Sequence, residues 1–134
     1  YNSANSARSN YPFAEIPTSS VYKWYKLKTI TTTPPPTSEQ GEWSRLKKST
    51  SWQPRDKEIG DVARAVAYFY TMYPTDAGSI NKVGGAKLIA EWNDEVEPSA
   101  WEKGRTDRAE KYQGNRNPFV DCPELVRPAL EDWM

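Results

Sequence analysis

The sequence predicts an α+β fold in which helices dominate, with a few short strands near the N-terminal end and long loops. Three observations point there. Aromatic and β-branched residues mix over 13–30 and return around Trp43 and Trp52, which suits short strands. Val62, Val66, Phe69 and Tyr73 recur at i, i+4, i+7 and i+11, the period of one apolar helix face. Beyond Pro74, repeated Gly and Pro divide the remaining apolar residues into shorter helical pieces.

The elements follow in chain order. The stretch up to Asn10 is small and polar, and reads as irregular or as the tail of a helix. Val21, Trp24 and Leu27 predict a strand around 21–28. Thr31 to Ser38 contains three consecutive prolines, Pro34 to Pro36, which impose an extended surface loop. Trp43 and Trp52 flank a basic segment, Arg45 to Lys48, that suits a second strand or hairpin arm. Pro54, Asp56 and Glu58 place a fixed φ and two negative charges at a helix start, and Pro74 ends that helix. Leu88, Ile89 and Trp92 predict a second helix. A third starts at Pro98 and runs to about Tyr112, weakened by Gly104, with Gly114 in a left-handed position just beyond. Pro128 breaks the tail into short turns. At 134 residues the chain is one domain or a fragment of one, with strands and loops over 1–53 and helices over 54–134.

Composition removes several kinds of chemistry. The sequence has no His, the commonest general base near neutral pH. With one Cys besides, a zinc centre is effectively excluded. Cys122 has no internal disulfide partner and reads as a partly buried thiol. No apolar run approaches the roughly 18 residues of a membrane-spanning helix, so no membrane partner is expected. Eighteen Lys and Arg balance 18 Asp and Glu, which rules out a globally basic surface but leaves room for a local one.

Three stretches carry a resemblance. Arg8-Ser9-Asn10-Tyr11-Pro12-Phe13 is followed by Pro54-Arg55-Asp56 and Gly60-Asp61-Val62-Ala63-Arg64-Ala65. Then come Glu97-Pro98, Trp101-Glu102, Arg105 and Arg108, and the run Gln113-Gly114-Asn115-Arg116-Asn117-Pro118-Phe119-Val120-Asp121 before Pro123-Glu124. In order and spacing these resemble the C-terminal part of the endonuclease I family.

The resemblance implies a secreted or periplasmic nuclease of the ββα-metal type, acting on DNA and often RNA with little sequence preference. In that family a His activates water, and a Mg²⁺-type ion stabilises the departing charge. Those groups lie ahead of the segment that Arg8 opens, so none is carried over. The expectation is a C-terminal portion supplying scaffold and DNA-facing surface, with no catalytic residue, metal ligand or cofactor of its own. The rival expectation is a non-catalytic, self-associating protein derived from the same fold. Trp92-Asn93 also departs from the Trp-His pair common in the family.

Each candidate contact has a structural alternative. Trp101, Arg105, Arg108 and Tyr112 share one helix face, either as a phosphate-tracking stripe or as a helix docked by its aromatics with its arginines paired to carboxylates. Asn115 and Arg116 either donate to phosphate or hold their own loop. Arg116 is the foremost candidate because guanidinium binds phosphate bidentately. Arg8 lies beside the family's expected active site. Arg64, three residues after Asp61, reads as a surface ion pair on the polar face. Asp94, Glu95 and Glu97 read as a solvated acidic loop.

Overall fold

The computed structural model describes residues 2–134, with the backbone alone for residues 2, 3 and 5. The chain forms two compact units, one of residues 1–58 and 82–84, the other of residues 59–81 and 85–134.

The first unit is built on a small antiparallel sheet. Strands β1 (Lys23–Lys26), β2 (Thr29–Thr31), β3 (Ser44–Lys47) and β4 (Ser51–Gln53) lie in the order β2-β1-β3-β4. Lys26 pairs with Thr29, so only Leu27 and Lys28 connect β1 to β2, and Leu27 takes a φ of 48° to close the turn. Between β3 and β4 the turn closes through Thr50 N–H donating to the Lys47 carbonyl at 3.0 Å, with Ser49 at φ 54°. Alternation puts Tyr25, Leu46 and Trp52 on one face, where they form a buried cluster. The Tyr25 and Trp52 rings meet at 5.2 Å, and Ala4, Ala7, Tyr11 and Phe13 pack against them. Ala4 and Ala7 come from α1 (Asn2–Arg8), so the opening residues are helical.

Segment 12–16 covers the open edge of β4. Phe13 makes a parallel bridge with Trp52, and Trp52 N–H donates to the Pro12 carbonyl at 3.0 Å. The buried Gln53 carboxamide accepts from Ile16 N–H at 2.6 Å and donates to Glu15 at 3.0 Å. A sheet edge left bare would offer unpaired backbone groups, and this strap satisfies them.

Of the Thr/Pro stretch, residues 32–36 run as a loop, with Pro35 buried rather than at the surface, while Thr31 closes β2 and a 3₁₀ turn, Thr37–Glu42, begins within it. Gln40 Nε2 donates to the Pro35 carbonyl at 3.0 Å.

The second unit is helical: α2 (Ile59–Met72), α3 (Pro74–Ala77), α4 (Ala86–Glu95), α5 (Ala100–Gln113), α6 (Pro118–Asp121) and α7 (Val126–Leu130). Helix α2 packs most extensively on α4, and both touch α7. A short 3₁₀ turn, Asp56–Glu58, precedes α2, so the helix starts later than Pro54 suggests.

The face of α2 also differs from expectation. Ile59, Gly60, Ala63, Arg64, Ala67 and Tyr70 are buried, whereas Phe69 and Tyr73 are exposed. The small residues at 60, 63 and 67 let neighbouring backbone come close, and that close contact, rather than the larger side chains, fixes which side turns inward.

Helix α5 is capped by Ser99, whose Oγ accepts from Glu102 N–H at 3.1 Å. Gly114 ends it at φ 83°, the left-handed position expected of it. Its buried side chains are Glu102 and Thr106. Trp101 and Tyr112 are 62% and 78% exposed, so the helix is not docked by its aromatics.

Candidate functional site

Arg64 organises the second unit. Its side chain is fully buried, which overturns the reading of a surface pair on a polar face. Nε and Nη2 each donate to a Glu102 carboxylate oxygen at 2.8 Å, a bidentate pair. Nη1 donates to the Asn93 side-chain oxygen at 3.1 Å and to the Val96 carbonyl at 2.8 Å. Asn93 passes the connection on, its Nδ2 donating to the Pro123 carbonyl at 2.9 Å. A lone guanidinium in this setting would be very costly, and the carboxylate with two neutral acceptors offsets that cost.

Sequence spacing gave no warning of this pairing, because Arg64 and Glu102 lie 38 positions apart. The available signal was Gly60, Ala63 and Ala67, which mark a close-packed face that Arg64 shares.

Asp61 sits at the edge of the network, its Oδ1 3.7 Å from Arg64 Nη2. Burial, then a hydrogen bond with Glu102 and the charge of that carboxylate, raise its pKa from 3.8 to about 6 against the pull of Arg105 and Arg64. For Glu102, burial alone would raise the pKa. Hydrogen bonds from Arg64 and Asp61, with the charges of Arg64 and Arg105, outweigh it and hold the pKa below 4.5.

Between pH 3.8 and about 6 the folded protein holds a proton on Asp61 that the unfolded chain has released. This group's contribution therefore falls as pH rises through that window, while Glu102 acts in the opposite sense only below 4.5. Asp61→Asn should thus gain stability relative to wild type between pH 4.5 and pH 7. Urea titrations at the two pH values measure it, and a pH-independent difference would refute it.

A cleft of about 260 Å³ opens between α2 and α5, floored by the loop after α5. Ala65 and Tyr68 line one side, Arg105, Thr106 and Ala109 the other. Among the sequence candidates, Arg105, Asn115 and Arg116 meet at this cleft. Arg105 lies over the Trp101 ring, its Cζ 4.9 Å from the centroid, and Arg108 stands exposed on the same helix. No ion pair engages either arginine among the described residues, contrary to the expected pairing with carboxylates.

Arg116 differs. It grips both oxygens of Asp121 at 2.7 Å, donates to Asp107 at 2.8 Å and reaches Glu110 at 3.5 Å. These hydrogen bonds raise its pKa and lower that of Asp121. Asn117, beside it, is the latch of the loop. Its Oδ1 accepts from Phe119 N–H at 2.9 Å, its Nδ2 donates to the Arg64 carbonyl at 3.0 Å, and its N–H donates to Thr106 Oγ1 at 3.0 Å.

Arg8 belongs to the other unit, half-buried with its guanidinium 4.5 Å from the Phe13 centroid. Its Nε is buried and has no hydrogen-bond partner among the described residues. Asp94 and Glu95 close α4 rather than lying in an acidic loop, and Asp94 is tied to Arg127.

No group of three His, Cys, Asp or Glu converges among the described residues, and the Asp61–Glu102 pair is already committed to Arg64. No helix is long and apolar enough to cross a membrane among the described residues.

A family model described as Endonuclease I matches residues 1–124. No curated protein and no solved structure matches the chain.

Proposed function

Because this chain belongs to the endonuclease I family, we propose that it supplies scaffold and nucleic-acid-facing surface to such a nuclease, while the water-activating base and metal ligands are not among its own residues. The carrying observation is a family match over nearly the whole of a sequence that contains no His. Phosphodiester hydrolysis by the family's chemistry needs a base for water, and no imidazole here can fill that role. On this reading the divalent ion, and the secreted or periplasmic setting, belong to the complete enzyme.

The contacts are assigned from side-chain availability. Arg105 lines the cleft without an ion pair among the described residues, Arg108 stands exposed on the same helix, and Asn115 lines the cleft and is exposed. Arg8 is kept as a candidate because its Nε has no hydrogen-bond partner among the described residues. Arg116 ranks below these, since three carboxylates already take its donors. Its part is to hold the loop that carries Asn115.

Supercoiled plasmid with Mg²⁺, Mn²⁺ or Ca²⁺ should stay uncut by this chain. A fluorescently labelled duplex should bind with an affinity that falls with salt, and Arg105→Ala/Arg108→Ala should lower the slope of log K against log salt by about 2. Cutting by the chain alone, or a double variant with an unchanged slope, would contradict the proposal.

A second reading, self-association, is favoured by one observation. Phe69, Met72 and Tyr73 lie exposed near the end of α2, with the Phe69 and Tyr73 rings 5.6 Å apart. Sedimentation would decide for it if a concentration-dependent dimer forms and Phe69→Ser abolishes it.

A further inference from the structure

The net charge of zero conceals a division. Residues 1–58 and 82–84 carry ten Lys and Arg against five Asp and Glu, a net charge of +5. The remaining residues carry eight against thirteen, a net charge of −5. The stripe on α5 therefore sits in the acidic unit, and the electrostatic footprint of a polyanion partner falls on the strand-bearing one.

Within that unit the excess gathers at one end of the sheet. Lys23 opens β1, Lys47 closes β3 and Lys48 begins the turn beyond it. Tyr22, just before β1, is held to β3 through its N–H, which donates to the Leu46 carbonyl at 2.7 Å. The Nζ atoms of Lys23 and Lys48 lie 5.3 Å and 5.0 Å from the Tyr22 ring centroid. One half-exposed ring thus fixes two ammonium groups no more than about 10 Å apart. Among the described residues no carboxylate pairs with Lys23, Lys47 or Lys48, whereas Lys26, farther along β1, is neutralised by Glu42 at 3.4 Å.

Lysines on sheets commonly guard exposed edges against pairing with other chains. That explanation does not apply to Lys23 and Lys47, because β1 and β3 are the two inner strands of the sheet. Their charges protect no open edge.

We infer that Tyr22, Lys23 and Lys48 form a second contact surface for the phosphate backbone of duplex DNA, carried by the strand-bearing unit. It rests on the reading of the chain as nucleic-acid-facing and locates most of the nonspecific grip on the sheet. The surface is suited to sequence-independent binding. Its donors are ammonium point charges without the planar geometry that reads base edges, and an aromatic ring holds them in place.

The test compares two double variants that remove the same charge from the full chain. Lys23→Gln/Lys48→Gln removes two patch lysines, and Lys87→Gln/Lys103→Gln removes two exposed lysines of the acidic unit. Binding of a labelled 20-bp DNA duplex is titrated between 50 and 200 mM salt, with near-ultraviolet dichroism confirming that both variants fold. The patch variant should bind roughly tenfold more weakly near 0.1 M salt, with a slope about 2 lower, while the other stays within twofold of wild type. Equal losses in the two variants, or no loss in the patch variant, overturn the inference and leave the nuclease reading standing. Failure of the wild-type chain to bind DNA at all overturns both.

Discussion

Glu102→Ala is expected to be the most damaging single substitution in the helical unit. It removes the carboxylate that receives two donors of a fully buried guanidinium, and leaves Arg64 charged in the interior. Breaking such a pair costs about 3–5 kcal/mol, which for a chain of this size lowers the melting temperature by roughly 10–20 °C. Arg116→Ala removes three ion pairs, all at the surface, and should cost far less. The double variant Arg64→Met/Glu102→Leu should recover a good part of the single-variant loss, because it removes both charges and keeps the volume. Thermal melts of the four proteins measure this. A double variant as unstable as Glu102→Ala would show that the pair is not the source of the effect.

Gly60→Ala should destabilise, against the usual direction. Inside a helix this change normally gains about 1 kcal/mol. Here the added methyl would lie 2.5 Å from the Val96 carbonyl oxygen, 2.7 Å from Arg64 Nη2 and 2.9 Å from Val96 Cβ. The first of these is backbone and the second belongs to the buried network, so neither moves cheaply. The expected loss is about 1–3 kcal/mol, read as a lower urea midpoint at unchanged m-value. Val96→Ala should not rescue it, because it leaves the carbonyl contact in place. A Gly60→Ala protein at least as stable as wild type would mean that α2 and the 96 segment are not in this close contact.

These two sites also show where the sequence was readable. The strands, the order of the helices, the stop at Gly114 and the broken tail follow from local chemistry, since proline, glycine and β-branched residues act on their immediate backbone. The family resemblance was readable too, because it rests on ordered short motifs. The inward faces of α2 and α5 were not readable in the same way. Periodicity favours large apolar residues, which placed Phe69 and Tyr73 inside and made docking by Trp101 and Tyr112 one of two readings, and all four are exposed. What turns inward is Gly60, Ala63 and Ala67 on one helix and Glu102 and Thr106 on the other. A polar side chain belongs inside only if a partner meets it there, and that partner is 38 positions away. The candidate contacts divided likewise. Local charge nominated Arg116 together with Arg105 and Arg108, while only the packed loop reveals that Arg116 is surrounded by carboxylates.

Asn117 carries a constraint on how this sequence can drift. One carboxamide accepts from the chain ahead of it and donates to the middle of α2, so the position demands both polarities in a short side chain. Aspartate keeps the acceptor but turns an anionic oxygen toward the Arg64 carbonyl, and serine is too short to reach both groups at once. Leucine would match the size and abandon both bonds. Any tolerated replacement would therefore need a compensating change elsewhere, which leaves this asparagine among the least exchangeable letters of the chain.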